Sequence, residues 1–312
     1  MTKLEFPNRK AARQGMDRRS LLKATGACAL GAAGFAATAH ADASKAMIYA
    51  YANWSDALAI TFVGKHLIEK HFGYTVQPMQ ADPGVIYAAL KSGKADVFSN
   101  CYMQGLEPLK GIYRGGQADF VKQVANDIKI LGVSEGPMTQ GLAVPDYVPI
   151  KSISDLNSVA GKFRNGIVGI DPGSGLMHSV DTTVTAYGLK LPVTNGSEAA
   201  MEAAFQRAYE RKEWIVVATW EPLPMWSKFK MRYLDDPKKA MMAEPYYCFH
   251  AARNNFQTNF PKAYSFFQKF HIPNGEEAVI MGWIDGGMEP SDAAAKWIKE
   301  NTGKGIIEPW LA

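Results

Sequence analysis

Two sets of residues in this 312-residue chain can do chemistry. The first is the turn Asp171-Pro172-Gly173-Ser174-Gly175 with Leu176 behind it, where a short apolar run ends and a helical pattern begins. Glycine permits close backbone approach, and a helix starting near Ser174 leaves unpaired amides whose partial positive charge favours a carboxylate or phosphate. The same residues also suit an ordinary strand-to-helix turn with Ser174 as N-cap, and the residues alone allow both readings. A nucleophile elbow is excluded, because Pro172 stands where that turn needs its first glycine.

The second set is aromatic. Trp54 follows the first strand-like run, Tyr102 follows the third, and Trp220 closes WIVVATW, each beside a polar partner: Asp56, Asn100 and Glu221. Parallel sheets bind ligands beyond the carboxyl ends of their strands, so three such aromatics from separate units point to one shared pocket. Histidine offers no zinc-protease spacing, since His66 and His71 are five apart, and His178, His250 and His271 are scattered. No metal and no cofactor is expected, and no catalytic motif registers.

These residues need elements to hold them. KAMIYAYA (45–52) reads as a buried strand, 56–73 as a helix stopped by Gly73, YTVQPM as a second strand, GVIYAALKSG as a helix and ADVFSN (95–100) as a third strand. That βαβαβ rhythm predicts a largely parallel sheet. A second unit follows: GLAVPDYV (141–148) is extended, SISDLNSV is a short capped helix and NGIVGI a strand. Then come a helix over 197–212 with N-cap Ser197 and the β-prone WIVVATW. From Tyr246 another strand and helix return, and helices around 276–286 and 291–301 end the chain. The expectation is an α/β fold of two lobes, each a mostly parallel sheet flanked by helices, with a hinge between them. Residues 42–145 form lobe 1, 146–245 lobe 2, and 246–312 return to lobe 1.

Composition agrees: 47% of residues are apolar and 21% charged, ordinary for a globular chain. Residues 1–41 differ. Arg18-Arg19 precede an uncharged Ala/Gly/Leu stretch closing in Ala39-His40-Ala41, which reads as an export signal cleaved near Ala41, twin-arginine-like, with the general route also open. That leader holds seven Lys/Arg and two acidic residues of the 34 and 30 in the chain, leaving 27 basic against 28 acidic, net −1. A near-neutral chain without a basic run has no footprint for nucleic acid. Cys101 and Cys248 remain after the leader, and spacing alone does not decide whether they pair.

Four stretches carry a resemblance: GIDPGSGLMHSVDTTVTAYGL, TWEPLPMWSKFKMRYLDDP, ADVFSN leading to Tyr102, and the closing GWIDGG. Together, over about Lys45 to Leu311, they resemble the glycine betaine/choline/proline-type substrate-binding proteins of ABC importers. The resemblance implies a non-enzymatic, periplasmic, two-lobed protein that closes on a quaternary ammonium compound and presents it to membrane permease and ATPase subunits, itself a monomer. It implies an aromatic box in which Trp220 stands at the Trp of the family's Trp-x-Pro and Tyr102 where a Trp often follows the third strand. Trp54-Ser55-Asp56 is similar to the Trp-Thr-Asp of choline-binding members, whose carboxylate meets the ligand hydroxyl. Ser174, Gly175 and Leu176 would face the ligand's other end. Leu223 departs from the His often found after Trp-x-Pro, and Ser174 from a Trp or Asn. Two rival readings are a periplasmic enzyme using Asp56, Asp171 or Glu221 as acid or base, and a solute sensor subunit.

Overall fold

The computed structural model describes residues 46–312, so the expected export signal lies outside the described residues. The chain begins with β1 (Ala46–Tyr51), α1 (Ser55–Phe72), β2 (Thr75–Gln80), α2 (Pro83–Ser92) and β3 (Val97–Gln104). Both early helices stop as the sequence predicts, at Gly73 and Gly93, each in the left-handed region with φ 72°. A short helix α3 (Ala118–Val124) leads into β4 (Ile128–Pro145), a strand of 18 residues.

A 3-10 segment (Ile153–Lys162), capped by a reciprocal Ser152–Asp155 pair, follows. Next come β5 (Ile167–Val168), α4 (Gly175–Tyr187), β6 (Val193–Thr194), α5 (Glu198–Glu210), β7 (Val216–Glu221), α6 (Met225–Lys228) and β8 (Met231–Tyr233). Ser174 and Ser197 cap α4 and α5 as expected, accepting from Met177 N and Ala200 N. The chain returns through β9 (Tyr246–Arg253) and closes with α7 (Phe256–Asn259), α8 (Pro261–Phe267), α9 (Asn274–Asp285), α10 (Pro290–Asn301) and α11 (Glu308–Leu311).

The strands lie in the order β2-β1-β3-β9-β4-β7-β5-β6, with β8 on β4. Pairing is parallel where βαβ crossovers build it, β2-β1-β3 and β7-β5-β6. It turns antiparallel at β9 and β4, which carry the chain between the halves. β4 pairs with β9 as far as Met138 and with β7 from Thr139 onward, so one strand serves both half-sheets. Strand β3 is longer than predicted: it runs past Asn100 to Gln104, so Tyr102 sits inside it, opposite Cys248, instead of following it. Cys101 and Cys248 are free, buried thiols.

Candidate functional site

The elements converge on one cavity lined by Trp54, Asp56, Asn100, Tyr102, Gln117, Ile170, Ser174, Gly175, Leu176 and Trp220. Trp54, Asp56, Tyr102, Ser174, Gly175, Leu176 and Trp220, which the family resemblance implies as ligand-facing, are all among them. The empty space there, including the mouth, is about 310 Å³. This is room for a small molecule, enclosed largely by apolar side chains with a few polar groups.

Trp54 is held on extended backbone between β1 and α1, and its Nε1 donates to Asp171 Oδ2 at 3.0 Å. One ring is thus pinned by the turn from the opposite half-sheet. Beside it, Ser55 donates from both N and Oγ to Glu198 of α5, at 3.1 and 2.6 Å. Tyr102 stacks on Tyr246 with centroids 4.6 Å apart and planes 6° from parallel. Its hydroxyl donates to Gln140 Oε1 at 3.2 Å, and Gln140 Nε2 is tied to Ser179 Oγ and Met241 O. Trp220, near the end of β7, turns inward while the next residue, Glu221, is exposed and stays out of the cavity. Strand alternation explains this, and it removes Glu221 as a polar partner of the pocket.

At the α4 end, Ser174 Oγ accepts from Met177 N at 3.2 Å, while the amides of Gly175 and Leu176 have no carbonyl within the helix to serve. Gly175 is required by space. A Cβ there would come 2.7 Å from Gly116 Cα, and Gly116 itself, at φ 54°, leaves no room for a Cβ against Tyr102 O. The two backbones touch, which closes one side of the cavity.

The electrostatics are one-sided. Asp56 is buried and its pKa raised, chiefly by burial, against hydrogen bonds from Ala57 N at 2.8 Å and Asn100 Nδ2 at 3.1 Å. Burial pushes Glu198 up to about 8, with the Asp56 charge adding to the rise and Ser55 opposing it. No ion pair among the described residues involves either carboxyl. Atoms of Asp56, Glu135 and Cys248 lie within 4.8 Å of one another, a spacing that would suit a cation. Asn100 Nδ2, however, is 3.1, 3.0 and 3.3 Å from atoms of these three residues and fills the place between them.

Gln117 and Ile170 were not singled out from sequence. Gln117 follows the Gly115-Gly116 pair, where a short irregular stretch gives no periodic signal, and its side chain is oriented by Tyr87 Oη at 2.7 Å. The arrangement offers three aromatic faces, a buried carboxyl without a basic partner, and free amides across the gap. A compact cation with a polar tail fits such a set.

Residues 46–300 match the family model described as the substrate binding domain of ABC-type glycine betaine transport system. The chain is 33% identical over 142 residues to the glycine betaine/carnitine transport binding protein GbuC of Listeria monocytogenes. That stretch is 44% of this chain and 47% of the relative, so the match spans about half of GbuC. Among solved structures, lactococcal OpuAC in its closed conformation with glycine betaine superposes with a TM-score of 0.75 at 26% identity, covering 86% of this chain and all of the other. The glycine/betaine/L-proline-binding protein ProX of Borrelia burgdorferi gives 0.77 at 26% identity, covering 86% and 97%.

Proposed function

Because the chain belongs to the family of substrate-binding domains of ABC-type glycine betaine transport systems, we propose that its cavity receives a quaternary ammonium solute such as choline or glycine betaine. The family is one of extracytoplasmic solute-binding proteins and not of enzymes, which displaces the rival reading of Asp56, Asp171 or Glu221 as catalytic groups. The observation that carries the proposal is the convergence of Trp54, Tyr102 and Trp220 with a buried, unpaired Asp56 around one small cavity. The rings hold the ammonium, each face contributing roughly 0.5–2 kcal/mol. Asp56 supplies the countercharge, and the amides of Gly175 and Leu176 meet the hydroxyl or carboxylate end.

The lobes we assign are 42–145 with the return of 246–312, and 146–245. Side-chain hydrogen bonds cross between them, among them Trp54 to Asp171, Ser55 to Glu198, Gln140 to Ser179 and Ser179 to Tyr246. Such contacts favour a closed form that ligand stabilises. In this reading residues 1–41 direct export to the periplasm and are removed near Ala41. The remaining monomer delivers its cargo to permease and ATPase subunits.

Calorimetry of the mature protein against choline, glycine betaine, carnitine, proline and ectoine tests the proposal. Saturable binding of at least one trimethylammonium solute, returned chemically unchanged, is expected. Preference for an uncharged or anionic solute would overturn it. Deleting the permease subunit separates transport, where uptake is lost, from sensing, where only signalling is.

A further inference from the structure

Asp56 is the outermost of three buried carboxyls. Behind it Glu135, on β4 and 1% exposed, accepts from Asn100 Nδ2, the same nitrogen that reaches Asp56. Behind Glu135 lies Glu277 of α9, with no exposed surface at all, and the two carboxyls are close enough to interact. Glu135 Oε1 and both oxygens of Glu277 find no donor. Two facing carboxylates without donors repel, so a shared proton is required to make this contact a bond.

Among the described residues, the groups that face these carboxyls offer no positive charge. From β1 comes Tyr49, from β3 Tyr102, from β9 Cys248, and from α5 Glu198, all neutral or acidic. His250 of β9 is buried and kept neutral, its nitrogens bonded to Ser99 Oγ and Phe270 O. Burial, and then the charge of Asp56, drives Glu135 upward, and burial with the charges of Glu135 and Asp56 does the same to Glu277.

We propose that Glu277, Glu135 and Asp56 form one coupled cluster of buried carboxyls at the ligand cavity, Asn100 Nδ2 donating to both Asp56 and Glu135, so that entry of a permanent cation makes the cluster release a proton to solvent. The inference rests on the ammonium reading of that cavity. One positive charge enters and one leaves, so the charge of the buried site is conserved and neither state strands an uncompensated carboxylate. Glu135 and Glu277 do not touch the ligand. They act as positioning residues that set how strongly Asp56 is ionised.

Choline affinity should rise with pH, by up to about tenfold per unit for each proton released, between about pH 6 and pH 8. Choline titrations in buffers of differing ionisation enthalpy read the released proton directly. In Glu277→Gln the amide donates permanently to Glu135, so the fold is kept while the exchangeable proton is lost; both the pH slope and the proton release should shrink by at least half. The ligand-free protein gives an independent readout. Its melting temperature should fall as pH rises through this window, because groups with raised pKa stabilise the fold only while protonated, and the fall should flatten in Glu277→Gln. Proton release of zero with a flat affinity profile would overturn the proposal. If no ammonium solute binds at any pH, the ammonium reading fails instead, and superimposable melting profiles for the two proteins would still overturn the coupled carboxyl cluster.

Discussion

The two walls of the cavity are made of different material. The wall from β1, α1 and β3 is side chain: Trp54, Asp56, Asn100 and Tyr102, with Gln117 alongside and more carboxyls behind. The wall from the β5–α4 turn and β7 is largely backbone, the first amides of α4, with Ile170 and Trp220 as its apolar cover. A fixed charge on one side and fixed dipoles on the other discriminate the two ends of a ligand separately. Cation recognition belongs to the first wall together with the Trp220 ring, and choice among the tails belongs to the amides of the second.

Trp220→Ala should have the largest effect, weakening ammonium binding by roughly 1–3 kcal/mol through loss of a ring face and apolar contact, with less change in ligand-free melting. Calorimetry that finds affinity within twofold of the unaltered protein would mark Trp220 as core alone. Next in size, an isostere of the ligand with carbon in place of the quaternary nitrogen should bind about tenfold more weakly or worse, about 1.4 kcal/mol, because it keeps shape and loses the charge the first wall reads. Equal affinity for both would reduce that wall to a hydrophobic surface.

The second wall is tested by Leu176→Pro, which deletes an amide at a helix position where proline fits. A loss of about 0.5–1.5 kcal/mol is expected for glycine betaine and less for choline. A uniform loss would reduce the turn to a structural role. Proline at Gly175 is a poorer probe, since its ring would meet Gly116.

The smallest effect concerns Glu198, which ties the walls together through Ser55. Its folded-state pKa of about 8 lies above the ordinary carboxylate value. Its stabilising contribution is therefore fully present below that ordinary value and is lost as pH rises through about 8. Glu198→Gln should flatten the melting profile between about pH 6 and pH 8 by roughly 1–3 °C. An unchanged profile would mean the carboxyl stays ionised when the halves meet.

The site was legible in sequence wherever local grammar fixes it. Trp54, Trp220 and the Ser174 cap sit at strand ends and at a helix start, and a parallel α/β pattern brings such points together. Tyr102 lines the same cavity as Trp54 and Trp220 although its strand runs on to Gln104. Glu135 and Glu277 gave no signal, for physical reasons. Glu135 lies where β4 shifts register against β9, between Val133 and Met138, so strand alternation does not tell which way it points. Glu277 shares the first turn of α9 with Glu276, where acidic residues are expected merely to complement the helix dipole. Only tertiary packing separates them: Glu276 accepts from Trp297 Nε1 at 2.7 Å, while Glu277 is drawn inside.

The position of β9 between β3 and β4 has a consequence for how the chain reaches its fold. β3 and β4 are both complete by Pro145, yet the strand that must lie between them begins at Tyr246, so about a hundred residues are made before either inner edge is covered. The first half-sheet is a high-contact-order structure whose late strand closes an early gap. Until then two long strands expose unpaired backbone, the condition that invites aggregation or chaperone capture. Truncation before Tyr246 should therefore yield insoluble chain and not an isolated first lobe, and refolding should be limited by docking of β9.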